Sequence, residues 1–449
     1  MPDVKKDAVG FARLPAEFLD RLARPFAHFL GIQAASGAVL LFFTVTALVL
    51  SNSPWEHAFS SLWEMEFGFQ VGPWEHTRTL RHWINEGLLT LFFFLVSLEL
   101  KRELVLGELH DPRMAALSIS AALGGMLVPA ALYLMMQTGQ PGQHGWGTVM
   151  ATDTAFVIGC LALLGTRIPQ SLRVFLLSLA IVDDIGAILV VAIGYGSHIV
   201  WQAVALAALG IAVVRAMAVL GFRGFPLYFL MGALIWVAVD ASGINATVTG
   251  VILGLMTPAR RWVSDVRLYA ILKQVIAHPM SDEGSGDTRD RETLQVAEVA
   301  ARETLSPVER LVIALHPWVA LVIMPLFAFA NAGVPLSMGN LDGPVTLTIL
   351  VGFAVGKPVG ILSFGWLAVR SGIAVRPPDL TWWLVAGGGM LAGIGFTMAL
   401  FIAHLAFDES LIGSAKIGIL LASLVSALTG LALLTWATAG RPRTDDLGN

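Results

Sequence analysis

Long apolar runs separated by short polar segments recur along the whole chain of 449 residues. Twelve runs are present and are numbered here as spans 1 to 12: Leu30–Leu50, Leu88–Leu100, Met114–Met136, Thr148–Leu164, Leu172–Ile193, Trp201–Leu220, Pro226–Val239, Ala246–Met256, Leu311–Ala330, Val345–Val369, Leu384–Phe407 and Leu411–Trp436. A hydrocarbon core about 30 Å thick requires about 20 apolar residues per helix, which several runs supply directly and the shorter ones supply with their flanks. The pattern predicts an all-α polytopic membrane protein with about twelve transmembrane helices.

Two of these spans contain residues that interrupt a helix. Span 4 carries the polar group Thr152, Asp153 and Thr154, and span 11 carries five glycines within "VAGGGMLAGIGFTMALFIAH". Close packing through small residues is the common alternative reason for glycine in a membrane helix. Together, the mid-span aspartate and the glycine cluster predict interrupted helices in spans 4 and 11. In transporters, interrupted spans in the two halves indicate a binding site near the middle of the membrane.

Composition and charge placement add an orientation to this picture. Charged residues make up 13% of the chain and hydrophobic residues 56%, whereas a soluble domain carries about 25% charged residues. With the N-terminus inside, 24 of the 28 lysines and arginines fall on the inner side, and such an excess marks the cytoplasmic face. Both termini are therefore predicted to be cytoplasmic.

The polar segments divide the chain into a transmembrane domain and smaller parts. The transmembrane domain is predicted over residues 30–440, with an outer hairpin loop at about 53–80 and a long, charged cytoplasmic loop at about 258–310. Residues 1–29 form a basic arm that is either amphipathic and membrane-bound or a disordered tail, and residues 441–449 form a cytoplasmic tail.

Four ionisable residues fall in the membrane interior: Asp153, Asp183, Asp184 and Lys357. Each costs about 2.5–3.5 kcal/mol at a helix centre, so such residues are paired, hydrated or protonated, and a functional role is the default interpretation. Asp183 and Asp184 point about 100° apart on a helix and are expected to have different partners. Carboxylate oxygens beside a proton-binding group suit a cation/proton exchanger, because Na+ and H+ then compete for the same atoms. The alternative is that the pair caps a helix end at the interface.

The other charged positions have simpler alternatives. Asp153 is also a favourable helix N-cap residue. Lys357 either pairs with an aspartate of span 5 or extends from a helix end to the interface, and Pro358 is expected to weaken its helix. Lys416 lies five residues into span 12, where extension to the interface is expected. A further group flanks span 2 and forms either an interfacial salt-bridge cluster or a gate; it comprises Glu86, Glu99, Arg102 and Glu103.

At these residues the sequence resembles the NhaA family of bacterial Na+/H+ antiporters. The matching stretches are "LFFFLVSLELKREL", "AALGGMLVPAALYL", "ATDTAFVIGCLALLGTRIP", "LAIVDDIGAI", "LHPWVALVIMPLFAFANAGV", "GKPVGI" and "GIGFTMALFIA". Their order and spacing cover the chain from about residue 30 to 438, apart from the interior of the long loop. The resemblance implies inverted repeats, electrogenic export of Na+ or Li+ in exchange for about two inward protons, and residence in the bacterial inner membrane.

The resemblance also implies a role for each site residue. Asp184 would be the principal cation and proton carboxylate, and Asp183 its proton-linked neighbour, paired with Lys357 as charge compensator. Asp153 and Thr152 would lie where spans 4 and 11 cross. Residues tied to pH response and gating near the cytoplasmic funnel would be Glu86, Glu99, Arg102 and Glu103. The outer hairpin would form a homodimer within the membrane lipid.

Two departures from the family pattern bear on pH response but not on the transport site. Asn245 replaces a histidine, and Val312 replaces an acidic residue. The other functions left open are a symporter for another solute, a channel and an intramembrane enzyme. Neither HExxH nor GxSxG is present, and we expect no catalytic residue, no cofactor and no nucleic-acid partner.

Overall fold

A computed structural model of the chain describes residues 33–71, 74–106, 112–195, 199–222, 224–259, 269, 271, 305–335 and 343–439. The predicted arm at 1–29, the charged middle of the loop 258–310 and the tail at 441–449 lie outside the described residues. Helices dominate the described part, as the apolar runs predict.

Seven helices are long and apolar enough to cross a membrane. They correspond to spans 2, 3, 5, 6, 9, 10 and 12: Leu80–Val105, Ala115–Gln137, Gln170–Ala192, Trp201–Val219, Pro307–Asn331, Pro344–Arg370 and Glu409–Thr438. Three bent helix pairs also pass the same test, which gives up to ten spans. The prediction of an all-α polytopic membrane protein is confirmed.

The two predicted spans that fall short of a full crossing still form helices. Span 7 is the 16-residue helix Phe225–Asp240 and span 8 the nine-residue helix Val248–Met256. At 1.5 Å per residue they are about 24 and 14 Å long, less than the hydrocarbon thickness. By length and composition, the described residues therefore contain seven to ten candidate crossings plus two short helices.

The predicted interruptions in spans 4 and 11 are both present. Span 4 is a 3-10 helix, Pro141–Val149, followed by the α-helix Thr154–Leu164 at 46°, and span 11 consists of Trp382–Ala392 and Phe396–Ala406 at 47°. Glycine is needed at the span 11 break, because a Cβ on Gly395 would lie 2.2 Å from the Phe353 ring. The break thus depends on a close approach to span 10.

Span 1 is the helix Gln33–Ser51, and the short helix Glu56–Glu64 follows it at 115°. Two antiparallel strands come next, β1 (Glu66–Val71) and β2 (Trp74–Thr79), with Phe67 opposite Arg78. A β-hairpin therefore occupies part of the predicted loop 53–80 and leads directly into span 2.

Span 10 remains helical around Pro358, where a weakened helix was expected. A π-helical turn, Gly352–Gly356, precedes the α-helix Lys357–Arg370. Pro358 follows this π-helical turn by two residues, where the α-helical hydrogen-bond pattern that a proline interrupts is already altered. The span packs closely on span 3, because a Cβ on Gly124 would lie 2.2 Å from the carbonyl oxygen of Gly360. Gly360 lies three residues after Lys357, so this close contact is about one helical turn from the lysine.

Candidate functional site

A buried ion pair lies where span 5 meets spans 4 and 10. The Lys357 ammonium lies 3.1 Å from Asp183 Oδ2, and both side chains are fully buried. Lys357 Nζ also donates a short hydrogen bond to the carbonyl oxygen of Met150, at the break in span 4. Thr152 Oγ1 donates to Asp183 Oδ2 at 2.6 Å. The structure thus brings together Thr152, Asp183 and Lys357, and the charge of Lys357 balances that of Asp183.

The neighbouring carboxylate has no such compensation. Asp184 is 4% exposed, and it makes no hydrogen bond or ion pair within the part of the chain that the structure describes. The negative charges of Asp183, Asp153 and Glu99 repel the charge of Asp184, and the positive charge of Lys357 attracts it. Oδ1 of Asp183 also lacks a described partner. Carboxylate oxygens without a described partner therefore occur on both residues, although Asp183 is paired with Lys357 through its other oxygen and Asp184 has no such pair.

Asp153 joins the two interrupted spans. Its Oδ1 accepts from the backbone N–H of Phe156 at 3.3 Å, and its Oδ2 accepts from the N–H and hydroxyl of Thr397 at 3.0 and 2.5 Å. Its own N–H donates to the carbonyl oxygen of Ile394 at 2.6 Å. The carboxylate therefore caps the start of two half-helices, and its charge faces the partial positive charge of each. The same contacts therefore cap the two half-helices and compensate the charge of Asp153.

Thr152 connects the ion pair to span 11. Its hydroxyl lies 2.6 Å from Asp183 Oδ2 and 3.0 Å from the carbonyl oxygen of Ala392, the last residue of the first half of span 11. A hydroxyl carries a single proton, so it donates to only one of these acceptors at a time. The charge state of Asp183 can thus be transmitted to the break in span 11.

The four residues predicted to act in gating fall into two separate groups. Arg102 and Glu103 form an ion pair at 3.4 Å, and both charges act on the half-buried Glu99. Glu86 lies 13 residues before Glu99 on span 2, about 20 Å along the helix axis. It accepts hydrogen bonds from the side chain of Asn245 and the backbone N–H of Ala246, each at 3.2 Å. The structure therefore separates Glu86 from the other three residues.

Two features were missed by the sequence analysis. Thr397 follows Gly395 by two residues at the start of a half-helix, a position whose capping chemistry could have indicated a partner for Asp153. Lys416 was expected to extend to the interface, and this is wrong, because it is only 7% exposed. It lies within electrostatic reach of Arg81 and His404. The elements that bury Lys416 come from distant parts of the chain, so its position along span 12 does not reveal its burial.

Two broken helices with a buried aspartate pair and a lysine between them are the architecture of a secondary transporter. The comparison with known proteins agrees. The chain belongs to the family described as Na+/H+ antiporter 1, whose profile matches residues 27–434.

Similar proteins cover nearly the whole chain. Na(+)/H(+) antiporter NhaA 2 of Acidiphilium cryptum is 60% identical over 96% of this chain and 95% of its own length. Na(+)/H(+) antiporter NhaA of Rhizobium meliloti is 58% identical over 97% and 99%. Na(+)/H(+) antiporter NhaA 2 of Vibrio vulnificus is 54% identical over 97% of each chain. The chain is thus a multi-pass membrane protein of a bacterial antiporter family.

Proposed function

We propose that this Na+/H+ antiporter binds its two substrates alternately at Asp184 and Asp183. The protein is a secondary transporter and not an enzyme, with Na+ and H+ as its substrates. The observation that carries the assignment is the unpaired, buried carboxylate of Asp184 beside the Asp183–Lys357 ion pair.

A charge count explains why the substrates would alternate. Asp183 and Lys357 neutralise each other, and the charge of Asp153 is offset by two helix N-termini. The negative charge of Asp184 therefore remains, and a low-dielectric interior favours its neutralisation by one cation. Either H+ or Na+ satisfies that requirement, but the site gains nothing from both. Binding of one substrate thus displaces the other.

The oxygens available to Na+ include the Asp184 carboxylate and Oδ1 of Asp183. Among the described residues no group of three His, Cys, Asp or Glu side chains could hold a metal ion. A transported Na+ would therefore also use hydroxyl, carbonyl or water oxygens, with the Thr152 hydroxyl close to Asp183. Weak, partly hydrated coordination suits an ion that must leave again.

Electrogenic exchange requires more than one proton per Na+, and we assign the second to the Asp183–Lys357 pair. When Asp183 contributes to Na+ binding, Lys357 loses its partner and a buried ammonium becomes unfavourable. Release of a proton from this pair would then accompany Na+ binding. Titration belongs to the pair rather than to either residue.

The remaining assignments follow the family resemblance and the charge pattern. We propose that Li+ shares the Na+ site and that export is driven by inward protons. The placement of 24 of 28 basic residues supports cytoplasmic termini in the bacterial inner membrane. The strand edges of the hairpin β1–β2 can pair with those of a second copy, which supports a homodimer surrounded by lipid. Near the cytoplasmic end of span 2, Glu99, Arg102 and Glu103 would act in gating.

The test uses everted membrane vesicles from cells lacking other Na+/H+ exchangers. Na+, Li+ or K+ is added to vesicles that hold a respiration-generated pH gradient, and the collapse of this gradient is followed from about pH 6 to 9, which includes the upper part of the range in which histidine titrates. We expect collapse with Na+ and Li+ for the parent and for Asp408→Asn, an exposed carboxylate control. Asp184→Asn should show none.

The outcomes separate the competing functions. No collapse at any pH, with the protein present in the membrane, would overturn the antiporter assignment. Solute uptake without cation-induced proton movement would identify a symporter. Current down a cation gradient without obligatory proton exchange would identify a channel. Full activity in Asp184→Asn would remove that residue from its role without affecting the family assignment.

A further inference from the structure

A proline leaves one carbonyl oxygen of span 10 without its helical hydrogen-bond donor. The π-helical turn Gly352–Gly356 is closed by the N–H of Lys357, which donates to the carbonyl oxygen of Gly352. The carbonyl oxygen of Phe353 would accept next, from Lys357 in an α-helix or from residue 358 in a π-helix. The N–H of Lys357 is already used, and Pro358 has none. The backbone oxygen of Phe353 can therefore contact groups outside its own helix.

This backbone oxygen lies against the break in span 11. A Cβ on Gly393 would lie only 2.7 Å from the carbonyl oxygen of Phe353. Phe353 is fully buried, and a buried carbonyl group needs a partner. The Cα–H group of Gly393 is a weak donor to such an oxygen. Ser426 Oγ, which has no described partner, would lie 2.6 Å from the same Cβ. Span 10 thus contacts the break through its backbone.

The residues on either side of Gly393 carry the carbonyl oxygens that span 4 binds. The carbonyl oxygen of Ala392 accepts from the hydroxyl of Thr152 at 3.0 Å. That of Ile394 accepts from the N–H of Asp153 at 2.6 Å. Because Gly393 lies between these two residues, its position affects the direction of both carbonyl groups. The backbone oxygen of span 10 therefore contacts the part of span 11 that orients the two polar residues of span 4.

Lys357 connects the same turn of span 10 to the ion pair from the other side. It follows Phe353 by four residues, about one helical turn. Its ammonium lies 3.1 Å from Asp183 Oδ2, which also accepts from the hydroxyl of Thr152. The contacts thus form a closed ring through spans 10, 5, 4 and 11. A change in the backbone of span 10 therefore reaches the ion pair by two routes, one through Lys357 and one through the break in span 11.

We infer that Pro358 is a positioning residue for cation exchange, because it withholds the N–H that would draw the Phe353 oxygen back into its own helix. An N–H at position 358 would be a stronger donor to this oxygen than the Cα–H group of Gly393. The contact with the break would then weaken, and Thr152 would be held less precisely beside Asp183. The inference rests on the proposed function, since it concerns the geometry of the same Na+ site.

Span 9 contains the same local arrangement and provides a matched control. Its π-helical turn Val319–Ile323 is closed by the N–H of Met324, which donates to the carbonyl oxygen of Val319, and Pro325 comes next. The contacts described above for the ion pair involve spans 4, 5, 10 and 11 and not span 9. Replacement of Pro325 thus adds an N–H in a matching backbone setting away from those contacts.

The test measures Na+-driven proton exchange in proteoliposomes and thermal unfolding of the same purified variants. Pro358→Ala adds the N–H, and its apparent KM for Na+ should rise about fivefold, the equivalent of one hydrogen bond. Its unfolding temperature should equal or exceed that of the parent, because the helix gains a donor. Pro325→Ala should keep the KM of the parent. Loss of affinity without loss of stability, in only one of the two variants, is the result that a merely structural proline would not give.

A backbone ester separates the effect of the N–H from the loss of the proline ring. Lactic acid, incorporated at position 358 by nonsense suppression, has the side chain of alanine but an ester oxygen in place of the N–H. The ester variant should therefore recover the KM of the parent. An unchanged KM in Pro358→Ala, or a KM raised equally in the ester variant or in Pro325→Ala, would overturn the inference.

Two further outcomes complete the test. If Pro358→Ala does not fold, Gly393→Ala displaces the same carbonyl oxygen by its Cβ, and an unchanged KM for Na+ in that variant would overturn the inference. A parent without Na+-driven exchange would instead overturn the proposed function.

Discussion

Replacement of Lys357 by methionine should destabilise the protein, and increasingly so as pH rises. Methionine keeps most of the packed volume but removes the charge that faces Asp183 at 3.1 Å. At an effective dielectric constant of about 20, two unit charges at this separation attract each other by about 5 kcal/mol. Breaking a buried pair by removing one partner typically costs about 3–5 kcal/mol, because the other charge stays buried. Both estimates agree on the size of the effect.

The pH dependence follows from the remaining carboxylate. At acidic pH, Asp183 of the variant can take up a proton, and the penalty for a buried charge is avoided. At alkaline pH the proton is lost and the full penalty applies. We expect Lys357→Met to unfold at a lower temperature than the parent at pH 8, with a much smaller difference at pH 5. Thermal unfolding followed by fluorescence-detected size exclusion at both pH values measures this, and the double variant Asp183→Asn with Lys357→Met should recover most of the loss.

Lys416 provides the matched control. It is also a buried lysine within a span, but it makes no ion pair in the described part of the chain. Lys416→Met should therefore leave no unpaired carboxylate and show no loss that grows with pH. The reasoning would be refuted if Lys357→Met were as stable as the parent at pH 8, or if removing the Asp183 charge gave no recovery.

Three further predictions concern the transport site and its frame. Asp184→Asn should abolish Na+-induced proton movement while the protein remains folded; normal exchange with unchanged Na+ affinity would exclude the role of this carboxylate. Asp153→Ala leaves two half-helices uncapped and should lower the free energy of unfolding by more than the roughly 0.5–2 kcal/mol of a single helix cap. Thr397→Val removes only one hydrogen bond to Asp153 and should lower it by about 1 kcal/mol. Equal unfolding temperatures for the two variants would contradict this. Gly124→Ala should lower the unfolding temperature, because its Cβ would lie 2.2 Å from the Gly360 oxygen; unchanged stability would mean that spans 3 and 10 separate freely.

Periodic apolar runs and helix-breaking residues predicted most of the architecture. The polar group around Asp153 and the glycines near Gly395 indicated the two interruptions, and both are present. This succeeded because each signal is local: a capping aspartate and a glycine at a close approach act within a few residues. The length of each helix was harder to predict from the sequence than its presence, and span 8 forms only a nine-residue helix.

The partners of the site residues depend on contacts between distant parts of the chain. The sequence indicated that Lys357 could pair with an aspartate of span 5, because buried charges of opposite sign need each other. It could not show that Thr397 completes the cap of Asp153, since 244 residues separate the two. The error over Lys416 has the same origin, because burial near a helix end is decided by the neighbouring elements. Glu86 and Glu99 share one span, and only the structure separates their surroundings.

The most direct test of the central claim is proton release upon Na+ binding to the purified protein. Na+ is added to the parent and to Asp184→Asn in weakly buffered detergent solution near neutral pH, and the pH change and binding heat are recorded together. We expect the parent to release at least one proton for each Na+ bound, and the variant to bind no Na+ and release no proton. Na+ binding to the parent without proton release would contradict competition at Asp184 and Asp183.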